Sequence, residues 1–173
     1  MNNKKSKVKI IGGSWKRKNI FFYGSNGLRP TLNRVRETLF NWLGQDLSDK
    51  SCLDLFSGSG ILGFESLSRN AQSCTLVDNN SLTIECLSDN KNRLNANNAL
   101  IINSEAEIFL KNNKKLFDII FFDSPFEDPN IYNLLVEIKN HLKPKGIIYL
   151  EMNKKYSRNE FKILKNSRAG KVY

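Results

Sequence analysis

The stretch Asp54-Leu55-Phe56-Ser57-Gly58-Ser59-Gly60-Ile61-Leu62-Gly63 decides the fold. Cys52 to Phe56 reads as a short apolar strand running into small residues and glycines, and Ile61 to Arg69 reads as a helix. Gly58, Gly60 and Gly63 satisfy G-x-G-x-x-G between the two, a pattern that lets a backbone turn tightly and approach a ligand closely. The next strand, Ser73 to Val77, ends at Asp78, where an acid suits the hydroxyls of an adenosine ribose. A tight strand–helix turn with an incidental surface acid is the plainer alternative; strand, glycines, helix and acid in this order weigh against it. Dinucleotide and S-adenosylmethionine enzymes both use such a loop. Asp54 favours the second: a negative group facing the ligand repels a pyrophosphate and tolerates a molecule carrying a sulfonium and an ammonium.

Outward from the loop, strand and helix patterns alternate. Ser81 to Asn95 is a helix with Leu82, Cys86 and Leu87 as its expected buried face, and Leu100 to Ile102 is a strand. Glu105 to Leu110 is a short helix, and Phe117 to Phe122 is a continuous apolar strand of the kind covered on both faces. Ile131 to Leu142 is a helix closed by Lys143-Pro144-Lys145-Gly146, and Ile147 to Glu151 is a fifth strand. Phe161 to Leu164 and Lys171-Val172-Tyr173 are expected to pair as a closing antiparallel hairpin. This is an α/β chain with a mostly parallel, doubly wound, Rossmann-like sheet and an antiparallel C-terminal strand. Two units are expected, a basic N-terminal hairpin and helix over 1–45 and a core over 46–173. In the first, Val8 to Ile11 and Asn19 to Tyr23 are the hairpin strands. A helix follows from an N-cap at Thr31, with Val35, Leu39 and Trp42 to Leu43 on one face and Arg34 and Arg36 on the other.

Phe122-Asp123-Ser124-Pro125-Phe126 follows the most apolar strand. Ligands of doubly wound sheets sit at the carboxyl ends of the strands, so Asp123 faces the crevice of the glycine loop. Its carboxylate and the Ser124 carbonyl can together accept both hydrogens of an exocyclic amine and direct its lone pair at an electrophile. Pro125 holds Ser124 extended, and Phe126 can stack on a flipped base. The alternative is an ordinary strand exit with a solvated acid and a packing Phe.

Charge and composition narrow the partners. The chain has 173 residues, a net charge of +10, one His and three Cys. Residues 1–45 hold ten Lys/Arg against one acid, so nearly all the excess is N-terminal. Such a segment, with Lys16, Arg17 and Lys18 beside Trp15, fits a polyanion, because each neutralised phosphate releases counterions. No apolar run spans a bilayer, and no secretory signal is visible. An odd number of scattered cysteines fits a reducing cytoplasm, and a single His speaks against a His-rich metal site. His141, near a helix end, is expected as a surface or capping side chain and the cysteines in the core.

Three blocks together resemble a known family. They are Val8-Lys9-Ile10-Ile11-Gly12-Gly13-Ser14-Trp15-Lys16, Gly27-Leu28-Arg29-Pro30-Thr31 running into Arg34 to Leu43, and Asp54 to Gly60. The chain resembles the RsmD family, bacterial 16S ribosomal RNA guanine(966)-N(2)-methyltransferases with the class I S-adenosylmethionine-dependent fold. The resemblance implies S-adenosyl-L-methionine as cofactor. It places Asp54 and the Ser57 to Gly60 backbone (Ser57, Gly58, Gly60) beside the methionine part and Asp78 on the ribose. Asn79, Ser104, Glu105 and Ala106 fall beside the adenine, and Arg29 and Thr31 close over the methionine side. Asp123, Ser124, Pro125 and Phe126 match its amine-binding motif, with Ser124 where a proline is usual. The carbonyl survives that change; one rigid ring is lost. Lys16, Arg17, Lys18, Arg34 and Arg36 would grip phosphates of 16S rRNA or the small ribosomal subunit. A monomeric cytoplasmic enzyme without a metal is expected. Other readings keep the cofactor and change the acceptor, to adenine N6 in DNA or glutamine N5 in protein. Ser124 and a short last strand also leave room for a non-catalytic RNA-binding assembly factor.

Overall fold

The computed structural model describes residues 5–24, 32–124, 131–152, 156 and 161–168. Elements in chain order are β1 (Lys5–Lys9), β2 (Asn19–Tyr23), α1 (Asn33–Leu43), β3 (Ser51–Asp54), α2 (Ile61–Ser68), β4 (Ser73–Asp78) and α3 (Ser81–Leu94). Then come β5 (Ala99–Asn103), α4 (Ala106–Asn112), β6 (Phe117–Phe122), α5 (Ile131–Ile138), a 3-10 turn at Lys139–His141, and β7 (Leu142–Leu150). β3 to β7 form one sheet in the order β5-β4-β3-β6-β7, every pairing parallel, while β1 and β2 form a separate antiparallel ribbon. The strand order reverses between β3 and β6, which opens a crevice at their carboxyl ends.

Alternation along the strands separates two cores. Cys52, Cys74, Leu76, Ile119 and Phe121 face one side, packed with α1, α2 and the inner side of the ribbon through Leu39, Phe40, Phe64 and Ile20. Leu53, Val77, Ile120 and Phe122 face the other, under Phe109 and Leu110 of α4 and Leu134, Leu135 and Ile138 of α5. Both faces of β6 are thus covered, which is why its sequence is apolar at consecutive positions. Ile10 and Ile20 of the ribbon and Leu39 and Phe40 of α1 share the first core with β3 and α2.

The ribbon is riveted to α2. The Glu65 carboxylate accepts from the backbone N–H groups of Ile11 (2.9 Å) and Gly12 (2.7 Å), and Ser14 N donates to the Ser68 carbonyl (2.7 Å). Gly13 has φ +72°, and a Cβ there would collide with that carbonyl, so the Gly-Gly pair is needed for close approach. At the other edge the Asn90 side chain of α3 exchanges two hydrogen bonds with the Phe21 backbone, at 2.6 and 3.0 Å, as a neighbouring strand would.

Some expectations change. α1 begins at Asn33 after Leu32, whose side chain makes no capping bond; Thr31, the expected cap, lies outside the described residues. The helix after Ile131 ends at Ile138, not Leu142, because Leu142 already pairs with Phe117 and β7 reaches Ile147 through a register shift. Residues 161–164 form no strand: Phe161 packs against Tyr156, ring centroids 6.3 Å apart, instead of entering a ladder. The sheet is therefore wholly parallel among the described residues, and Lys171 to Tyr173 lie outside them. Leu82 is exposed rather than buried. His141 is buried, not at the surface, with Nδ1 3.0 Å from the Asn113 side-chain amide.

Candidate functional site

The glycine loop turns as its sequence requires. Gly58 and Gly60 have φ +48° and +75°, and Gly60 N donates to the Ser57 carbonyl at 2.6 Å. A Cβ on Gly60 would strike Leu87 of α3, so this glycine sets both the turn and the packing of α2 against its neighbour. Ser57 is fixed from two sides: its N–H donates to the Val77 carbonyl (2.9 Å) and its hydroxyl to the Asp54 carbonyl (2.8 Å).

Parallel register lines up the acids. Asp54 pairs with Leu76 on β4 and with Phe121 on β6, so Asp78 and Asp123 stand two residues further along on the same face of the sheet. Phe121 pairs with Tyr149 on β7, which puts Glu151 beside Asp123 on that face too. Asp54 is the floor, 2% exposed, with Oδ2 accepting from Gly63 N in the first turn of α2 at 3.0 Å. Burial, with the charges of Asp123 and Asp78 added, pushes its carboxyl up to about 7 against the single opposing Gly63 bond. Asp78 spans the mouth, accepting from Gly58 N (Oδ2, 2.9 Å) and from Asn80 N (Oδ1, 2.9 Å). Asn79 reaches Glu105 (3.5 Å), and Ser104 N donates to the Asp78 carbonyl (3.0 Å), so Asn79, Ser104, Glu105 and the following Ala106 form one rim of the crevice. Asp123 is half-buried and Ser124 buried at the opposite rim. Pro125, Phe126, Arg29 and Thr31 lie outside the described residues.

The structure adds two groups that sequence reasoning passed over. The first is the pair Tyr149 and Glu151: the phenol donates to Glu151 Oε1 at 2.6 Å, and Glu151 N donates to the Phe122 carbonyl at 3.1 Å. Burial, then the Glu151 charge and hydrogen bond, raise the Tyr149 phenol far above its usual value, so it stays a donor. The visible signal was the recurrence of an acid at strand exits, in Leu53-Asp54, Val77-Asp78, Phe122-Asp123 and Leu150-Glu151. The second is the buried cluster Arg36, Glu65 and Arg69, signalled by a Glu directly after the apolar run Ile61 to Phe64 of α2.

That cluster corrects one expected phosphate contact. Arg36 is fully buried, its Nη1 held by Glu65 (3.1 Å) and by the Lys9 carbonyl (3.0 Å), and its Nη2 donates to Asn33. A guanidinium locked between α1, α2 and β1 has no face for RNA. Lys16, Arg17, Lys18 and Arg34 are exposed, the first three at the tip of the ribbon. The ribbon register adds Lys7 and Lys9 to that surface, opposite Phe21 and Asn19, and Arg93 lies over the Phe21 ring at 4.5 Å from its centroid.

Known proteins share this architecture. The family model described as conserved hypothetical protein 95 matches residues 8–173. The ribosomal RNA small subunit methyltransferase D of Buchnera aphidicola subsp. Acyrthosiphon pisum is 40% identical over 164 residues, covering 91% of this chain and 86% of its own. The protein of that name from Escherichia coli K12 is 41% identical over 146 residues, covering 83% and 74%. The solved structure of yhhF from Escherichia coli matches with a TM-score of 0.86 at 35% identity, covering 96% of this chain and 94% of the other.

Proposed function

The chain belongs to the conserved hypothetical protein 95 family, that of the RsmD ribosomal RNA methyltransferases, and from this premise we propose that it methylates the exocyclic N2 amine of a guanine in 16S rRNA of the small subunit. The observation that carries the reading is the parallel register that sets Asp54, Asp78 and Asp123 on one face of the sheet at the carboxyl ends of β3, β4 and β6, beside the glycine loop.

The crevice fits S-adenosylmethionine. The charges acting on Asp54 are carboxylates, a surrounding that suits a cationic ligand and opposes a pyrophosphate. S-adenosylmethionine supplies a methyl group on a sulfonium, which leaves as a neutral thioether. Asp54 and the Ser57 to Gly60 backbone would hold its methionine end, Asp78 would accept from the ribose hydroxyls, and Asn79 with Ser104, Glu105 and Ala106 would border the adenine.

The guanine amine is a poor nucleophile, because its lone pair is delocalised into the ring. Asp123 and the Ser124 carbonyl accept its two hydrogens, turn the lone pair toward the methyl group and stabilise the positive charge that grows on nitrogen. The nitrogen–carbon bond forms as the carbon–sulfur bond breaks, its electron pair going to sulfur. The nitrogen then releases a proton, so Asp123 need not be a strong base before attack.

Lys16, Arg17, Lys18 and Arg34, with Lys7 and Lys9, hold RNA phosphates while the target base leaves its stack. The enzyme acts as a monomer in the cytoplasm, on 16S rRNA or the small-subunit particle. Incubation with labelled cofactor and separate rRNA, DNA and protein acceptors tests the reading. Label is expected in rRNA as N2-methylguanine, and Asp123→Ala is expected to keep cofactor binding and lose most transfer. Label in DNA or protein alone, or full activity in Asp123→Ala, refutes it.

A further inference from the structure

We propose that the cleft between the β1–β2 ribbon and α3 seats one sugar–phosphate unit of the RNA, with Arg93 as its anchor. This rests on the RNA substrate proposed above and adds a contact from outside the basic segment 1–45.

The seat is built from two elements locked together. The Asn90 side chain is buried and exchanges two hydrogen bonds with the Phe21 backbone, at 2.6 and 3.0 Å, so β2 cannot slide along α3 at this point. Arg93 follows three residues later on the same side of the helix, and its guanidinium lies over the Phe21 ring at 4.5 Å from the centroid. One helix thus holds both the backbone of the ring and the cation above the ring. Beside them opens a cleft of about 200 Å³ lined by Lys5, Phe21, Cys86, Asp89, Asn90 and Arg93. That is less than the roughly 300–1,000 Å³ of dedicated small-molecule sites, and it suits one unit of a longer ligand.

Charge decides which ligand. Asp89, the acid in the wall, is engaged by Lys5 Nζ at 3.4 Å, and Glu85 lies about 12 Å back along the helix from Arg93. Arg93 is exposed and has no ion pair or side-chain hydrogen bond among the described residues. Arginine stacks through its plane and donates through its edge, so a guanidinium steadied on Phe21 keeps its N–H fork for a phosphate. Lys7 faces Phe21 across the ribbon, and strand alternation puts Lys9 on the same exposed face. From there the cations continue to Lys16, Arg17 and Lys18 at the ribbon tip. Such a row matches the backbone of a polyanion and not a single small anion. α3 leaves the crevice mouth at Ser81, so Arg93 stands about 18 Å further along the helix. The phosphate it takes therefore belongs to RNA flanking the target nucleotide.

The test measures binding and methylation of small-subunit RNA over a salt series from about 50 to 200 mM. Arg93→Gln is expected to raise KM about tenfold, with kcat and S-adenosylmethionine affinity unchanged. It is also expected to lower the slope of log affinity against log salt by about 1. Arg93→Lys is expected to keep the slope and lose part of the affinity, because the charge stays and the fork goes. Phe21→Leu, which removes the platform and leaves the cation, is likewise expected to keep the slope and raise KM. Lys111→Gln, on α4 across the sheet, removes the same charge at a distance and is expected to match wild type, which separates contact from net charge. Wild-type slope and KM in Arg93→Gln, or an equal loss in Lys111→Gln, overturn the seat while leaving RNA methylation standing. Transfer to DNA or protein alone by the wild-type protein overturns the RNA reading and this assignment together.

Discussion

Arg36 Nη1 and Glu65 Oε2 meet at 3.1 Å with both side chains wholly buried, joining the helix that precedes the core to the helix that follows the glycine loop. Glu65 also takes Arg69 at 3.1 Å and two backbone N–H groups of the Ile11-Gly12 segment. One carboxylate therefore ties together α1, α2 and the segment that follows β1.

Removing one partner leaves a buried charge without its complement. Arg36→Met is expected to cost about 3–5 kcal/mol of unfolding free energy, the usual consequence of breaking a buried pair from one side. Arg34→Met, on the exposed side of the same helix, is expected to stay within about 0.5 kcal/mol of wild type. Urea titration of both variants checks this; equal stability would mean that the pair does not hold the ribbon and α1 to the core.

The difference between these two arginines shows where sequence reading stopped. The strand–loop–helix around Gly58 and Gly60 was legible because positive φ and the alternation of apolar positions are local demands. Asp54, Asp78 and Asp123 were legible for a similar reason, each closing an apolar strand at the edge where ligands gather. Which arginine of α1 turns inward depends on a glutamate 29 residues away, and no local period reports it. His141 was misplaced likewise, since its partner Asn113 lies across the turn before β6. Glu151 was passed over because its meaning lies in register with Asp123, which only the sheet supplies.

At the opposite end of the sheet, Asp118 Oδ2 accepts from Lys143 Nζ (2.7 Å), Ser51 N (2.8 Å) and Ser51 Oγ (2.8 Å), pinning β3, β6 and the start of β7. Burial opposes its ionisation, yet these donors hold its carboxyl down at about 2. An Asp depressed below its unfolded value of about 3.9 adds stability above that value and loses it as pH falls toward 2. Asp118→Asn is expected to flatten the acid limb of the stability curve between about pH 4 and pH 2, read by thermal melts across that range. An acid limb as steep as wild type would show that Asp118 carries none of it.

Cys52 and Cys74 pair across β3 and β4, both fully buried. Burial pushes the Cys52 thiol up to about 12 and the Cys74 thiol well above its usual value. Thiolate is the reactive form, so neither should react in the folded protein near neutral pH. Titration with a disulfide reagent is expected to leave both silent until denaturant is added; modification at the rate of a free thiol in native protein would contradict their placement.

Asp54 gives the site a pH dependence of opposite sign to that of Asp118. Its carboxyl is raised to about 7, so in the unliganded protein ionisation costs stability, which is fullest below the unfolded value of about 3.9 and falls as pH rises through 7. A sulfonium-bearing ligand prefers the carboxylate. Its binding should therefore expel a proton below about pH 7, strengthen as pH rises through that value, and level off above it. Calorimetry with S-adenosylmethionine in two buffers of different ionisation enthalpy reads the proton release directly. S-adenosylhomocysteine, with neutral sulfur at the same position, should release fewer protons and show a shallower dependence. Asp54→Asn removes the titrating group, so its affinity should be weaker and flat with pH between about 6 and 8, while the unliganded variant should match or exceed wild-type melting at pH 8. The crevice would then hold its cofactor partly by relieving repulsion among its own acids, which explains an acid buried where no cation is built in among the described residues. Cofactor affinity of the wild-type protein that is flat from pH 6 to 8, with no proton released, would refute that role for Asp54.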